Sequence, residues 1–144
     1  MNDDNAAPAT PPPLGRWLEL TLPYEAAVAR VPDALKAQGF GVITQIDMQA
    51  TFQEKLGLPF RRYRVFGACN PTFAHAALRH DLRIGVLLPC NVVVYEADDG
   101  RAVVGAVDPT RALGGHDDAG NLATLAAEVA RRLDAALDAM QAPA

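Results

Sequence analysis

The chain has 144 residues, 50% of them hydrophobic and 21% charged, with a formal net charge of −4; that length and apolar share suit one domain with a real core. Its lysines and arginines are scattered and form no basic stripe of the kind a phosphate backbone needs. No uncharged run approaches the roughly 18 to 20 apolar residues that span a bilayer, and Asp3 and Asp4 stand where a secretory leader would be basic, so neither nucleic acid nor a membrane is an expected partner and a cytoplasmic location is expected. Two cysteines without an export signal read as reduced thiols rather than a disulfide framework.

Residues 1 to 15 open with MNDDNAAPATPPP, which has no apolar period, and read as a disordered leader. Residues 16 to 142 read as a single domain. Arg16 to Leu22 alternates Leu18, Leu20 and Leu22 against Trp17, Glu19 and Thr21, the period of a half-buried strand. From Pro23 to Gln38, Tyr24, Val28, Val31 and Leu35 recur at helical spacing, with Gly39 as a left-handed stop. Pro32 inside that helix predicts a kink or a restart near Val31. Phe40 to Ile46 reads as a second strand and Gln49 to Leu56 as a short helix before the Gly57 to Pro59 turn.

Arg61 to Ala68 alternates again and runs into Asn70-Pro71, a cap followed by proline at the first helical position. A strand therefore delivers Cys69 to the mouth of a helix that runs to about His80. Ile84 to Leu88 and Asn91 to Tyr95 are apolar, β-branched runs split by Pro89, where a bulge, a bend or an edge is expected. Asp98-Asp99-Gly100 turns the second run into a hairpin with Arg101 to Val107. Asp108 to Gly120 reads as loop. A last helix from Asn121 carries Leu122, Leu125, Val129, Leu133, Leu137 and Met140 on one stripe. The order is β-α-β-β-α-β-β-α with little room for parallel crossovers, which predicts an α+β fold, an antiparallel sheet with helices packed on one face.

Four segments stand close together: Thr44-Gln45-Ile46-Asp47, Glu54-Lys55-Leu56-Gly57, Gly67-Ala68-Cys69-Asn70-Pro71 and Leu88-Pro89-Cys90-Asn91. Taken together they resemble the domain of unknown function 302 family, best over residues 38 to 108. The resemblance implies a TATA-binding-protein-like α+β fold and a homodimer, with no settled activity. Two departures are visible: Gln45 replaces the acidic residue that the family usually has before the Ile-Asp pair, and Pro32 interrupts the first helix.

The candidate site is this block. Cys69 at a helix mouth is either a thiol made acidic by the helix N-terminus or a small residue filling a strand-to-helix corner. Cys90, after a proline that breaks a β run, is either its partner or a buried core residue. Asn70 is explained by capping, whereas Asn91 fits a ligand contact or a structural role. Asp47 is a further candidate for ligand binding. Metal binding is a weak signal, with Cys69, His75 and Cys90 as its candidates and His80 and Asp47 further off. His75, His80 and His116 read as solvated or capping residues, and Glu54-Lys55 as a solvated pair. Alternation sets Arg61 apart from Arg62 and Arg64. No phosphate loop, nucleophile elbow or triad spacing is present and no cofactor is named. The leading expectation is a small homodimeric ligand-binding or sensor-like domain with Cys69, Asn70, Cys90 and Asn91 lining a cleft. One alternative is a thiol-based redox or sulfur-transfer enzyme with Cys69 and Cys90 as catalytic candidates; another is a non-catalytic structural or interaction module.

Overall fold

Leucine alternation turns Gly15–Pro23 into strand β1, with Leu20 buried and Leu18 and Leu22 packed beside it on the same face. The computed structural model describes residues 15–113 and 121–141; residues 1–14, on which the expected leader 1–15 falls except for Gly15, the segment 114–120 with His116, and residues 142–144 lie outside the described residues. Helix α1 (Tyr24–Lys36) buries Tyr24, Ala27, Val31 and Leu35. It is continuous through Pro32 instead of restarting near Val31, and Pro32 falls on its exposed side. Gly39 takes a φ of 88°, which ends the helix without the steric cost a Cβ would bring.

Strand β2 (Gly41–Asp47), helix α2 (Met48–Leu56), strand β3 (Tyr63–Cys69) and helix α3 (Pro71–His80) follow. Asn70 caps α3 by accepting from the Phe73 N–H at 3.3 Å, with Pro71 at the first turn. Strand β4 (Cys90–Glu96) and strand β5 (Arg101–Val107) form the expected hairpin, turned at Gly100, whose φ is 88°. Helix α4 (Pro109–Ala112) and the long helix α5 (Asn121–Met140) complete the fold.

The strands form one five-stranded antiparallel sheet in the order β1-β5-β4-β3-β2. Phe66 pairs with Val92, and Val104 stands opposite Leu18 and Val94, so one face is aliphatic, and α1 and α5 cover it. Val31, Leu35, Val129, Leu133 and Leu137 join Phe66, Val92 and Val104 in the main core. Helix α5 presents the expected stripe, with Ala126 and Ala136 completing it where the helix comes close to its neighbours.

Two segments differ from the sequence expectation. Ile84 to Leu88 is not a strand: Leu82–Leu87 is a 3-10 turn, started by the Asp81 carboxylate accepting from the Arg83 N–H at 2.9 Å. A strand would bury alternate residues. Here Ile84 alone is fully buried, in a satellite cluster with Ala77 and Leu122, while Leu82 and Val86 are 83% and 88% exposed. Part of the expected 108–120 loop is α4, started by Asp108-Pro109 with the Asp108 carboxylate accepting from the Thr110 N–H. Pro89 precedes β4 through a cis peptide bond with Leu88.

Leu133→Ala, at a site only 1% exposed, is expected to cost about 3 kcal/mol by lost burial and a residual cavity. Leu82→Ala should leave the denaturant midpoint within about 0.5 kcal/mol of wild type; equal effects in urea titrations would contradict the core assignment.

Candidate functional site

The cysteines come together through strand register. Cys90 opens β4 directly opposite Ala68, and Cys69 follows Ala68 at the end of β3, where it lies close enough to act electrostatically on Cys90. Both are free. They line an apolar pocket of about 60 Å³. Its walls are Phe73 and Ala77 of α3, Ile84 of the 3-10 turn with Leu88 just beyond it, and Leu125 and Val129 of α5. Phe40 and Pro109 contribute as well. Among the described residues none of the lining side chains is charged, and Asn70 alone carries an amide. Wider concavities of about 390 and 630 Å³ beside α5 and beside α1 are open surface grooves.

An ion entering the pocket would lose hydration without finding a counter-charge, a cost of several kcal/mol. The lining suits an uncharged guest. Burial, and secondly the neighbouring Cys69 sulfur, push the Cys90 thiol from its ordinary 9.0 up to about 11. At neutral pH Cys90 is therefore a protonated, inert thiol.

The α3 mouth is held by side chains far apart in sequence. Arg132 of α5 donates to the Gln38 carbonyl at 3.3 Å, pairs with Glu128 at 2.9 Å and lies 5.2 Å over the Phe73 ring. A Cβ on Gly39 would come within 2.8 Å of Asn70 Nδ2, so Gly39 both turns the chain and leaves room for the cap. Glu128 has its carboxyl lowered to about 2 by hydrogen bonds from Arg131 and Arg132 and stays ionised.

The other candidates fall elsewhere. Asn91 is exposed and opposite Gly67; strand alternation turns it to the sheet face away from α1 and α5. Asp47 caps α2, accepting from Ala50 N–H at 2.9 Å, and pairs with Arg64 at 3.6 Å. It stands opposite Arg64 while Cys69 stands opposite Gly41, five residues or roughly 17 Å along the strand. Gln45 accepts from Arg64 at 3.2 Å. In the same corner burial raises the Tyr24 phenol pKa, against a hydrogen bond with Arg64. His75 is on the exposed side of α3 and does not line the pocket, and His80 is exposed at the helix end. Among the described residues no three His, Cys, Asp or Glu side chains gather as metal ligands. Arg61 pairs with Asp98 and Arg62 with Glu25, so the three arginines form no joint anion site. Sequence reasoning missed the α4 wall, although Asp108-Pro109 repeats the cap-plus-proline signal of Asn70-Pro71.

These features define an uncharged pocket at one end of an open α+β sheet. The family model "Domain of unknown function DUF302" matches residues 18–140, and the chain belongs to that family. It is similar to a crystal structure of an uncharacterised DUF302 protein from Bacillus stearothermophilus, with 32% identity and a TM-score of 0.81 over 90% of this chain and 98% of that one. No curated protein matches. No helix among the described residues is long and apolar enough to cross a membrane.

Two measurements check this geometry. Because native Cys90 keeps its proton to about pH 11 while an unfolded thiol loses it near 9.0, its stabilising contribution is intact below the lower value and is lost as pH climbs to the higher one. Stability should fall between these values more steeply in wild type than in Cys90→Ala, read from urea midpoints; identical slopes would refute the burial. Gly39→Ala should cost about 1 kcal/mol or more beyond Gly57→Ala. Both glycines have positive φ, but only Gly39 has the Asn70 amide against it, so equal losses would dissociate Gly39 from the cap.

Proposed function

We propose that this is a small homodimeric, sensor-like domain of the cytoplasm that holds a small uncharged molecule in the pocket beside Cys69 and Cys90. The observation that carries the reading is the lining itself, which joins two thiols and the Asn70 amide with aliphatic and aromatic walls and has no charged side chain among the described residues. Pockets of this composition orient a guest through few polar groups and gain affinity from buried apolar surface. Cys69, Asn70 and Cys90 are the ligand-binding residues of this reading. Asn91 and Asp47 fall outside it, since neither lines the pocket.

A thiol redox or sulfur-transfer reaction would have to use Cys69 as its nucleophile, because burial keeps Cys90 protonated. Native and denaturing mass spectra of protein purified gently from its own source test the ligand reading. Mass that disappears on denaturation is expected in wild type and absent from a Cys69→Ala/Cys90→Ala variant with an unchanged melting transition. A clean, unmodified wild-type mass would overturn the reading, and mass fixed covalently to Cys69 would favour the thiol reaction.

A further inference from the structure

The sheet has a second face that α1 and α5 do not cover, and it is not the polar face that an antiparallel sheet normally turns to water. Ile46, Val65 and Val93 form one cross-strand row, and Tyr63 and Tyr95 form the next. The tyrosine rings stack 8° from parallel with centroids 5.8 Å apart. Trp17, 42% exposed, completes the face from β1. A Cβ on Gly105 would meet the Trp17 ring at 2.3 Å, so the indole lies flat on the sheet rather than standing into solvent. At one end Phe60 packs against Tyr63 and Arg61 lies 5.9 Å over the Tyr95 ring, and Glu19 and Asn91 stand at the margins, so the apolar part is the middle of the face.

We infer that this face is where two copies of the chain pack, sheet against sheet. The inference rests on the homodimer reading above and adds the surface. Three features select a second copy over a foreign partner. The charges around it come in both signs within the chain: Arg101 lies between Asp99, at 2.8 Å, and Glu19, and Arg61 pairs with Asp98 at 2.9 Å. Such a mixed border does not select a partner of one charge. A sheet face with an apolar middle can meet its own image about a twofold axis with side chains interdigitating, the geometry of sheets stacked about 10 Å apart. The extent also fits. Four strand spacings by three side-chain rows give roughly 20 Å by 20 Å in projection. Side-chain relief and the exposed Ile43, Leu56 and Leu58 at the β2 and α2 border extend this toward the roughly 800 Å² per partner that a stable dimer buries.

Val93 sits on the central strand β4, in the middle row, so a charge there meets its own copy. Sedimentation equilibrium should show a wild-type dimer and should show Val93→Glu and Val93→Lys dissociating about a hundredfold more readily through like-charge repulsion. An equimolar mixture of the two variants should recover the dimer. Val86→Glu, on the exposed 3-10 turn, should leave it intact. A second measurement needs no substitution: Trp17 is the single tryptophan, and its emission should shift to the red as wild type is diluted through dissociation. A monomeric wild type overturns the homodimer reading and this surface with it. A wild-type dimer that survives both Val93 variants, or dissociates with no change in Trp17 emission, overturns the surface alone.

Discussion

The register of β3 against β4 is the constraint on which the rest depends. Pairing Phe66 with Val92 and Arg64 with Val94 sends Phe66, Val92 and Val94 into the core under α1 and α5. The same alignment sets Ala68 against Cys90 at one end and Tyr63 against Tyr95 at the other. A slip of one residue would reverse both faces of the strand, putting the Phe66 ring into solvent and breaking the Tyr63–Tyr95 stack. The apolar bulk on the helix side therefore also holds in place the tyrosine pair on the face it does not touch.

Each end of the sheet has its own chemistry. At the cysteine end, seven elements, the 3-10 turn among them, converge on a pocket with no charged side chain among the described residues, and Gly39, Asn70 and Arg132 hold its mouth by a turn, a cap and a guanidinium laid over Phe73. At the far end Arg64 gathers Gln45, Asp47 and Tyr24. Its Nε is buried and finds no hydrogen-bond partner among the described residues. Gln45 meets Arg64 as a neutral acceptor, where an acidic residue of the family pattern would add a second charge to the Asp47 pair.

What the sequence determined by itself is local. Gly39 as a stop, Asn70-Pro71 as a start, the turn at Gly100 and the α5 stripe are contacts within one helical turn or one hairpin, so the residues that specify them are neighbours in the chain. Asp108-Pro109 belonged to the same grammar and marks a helix that a glycine-rich context concealed. Tertiary structure decided the rest. Ile84 to Leu88 has a strand's composition, but β3 is already paired with β4 from Cys90 onward, and a buried Ile84 is reached by a 3-10 turn capped at Asp81. Asp47, Asn91 and Cys90 look equivalent in a linear reading. The pleat turns Asn91 to the opposite face, and the strand carries Asp47 to the opposite end. Local caps cost a few backbone angles and are repaid by adjacent atoms, whereas register and pocket lining depend on contacts summed over strands and helices far apart in sequence, which no short segment encodes.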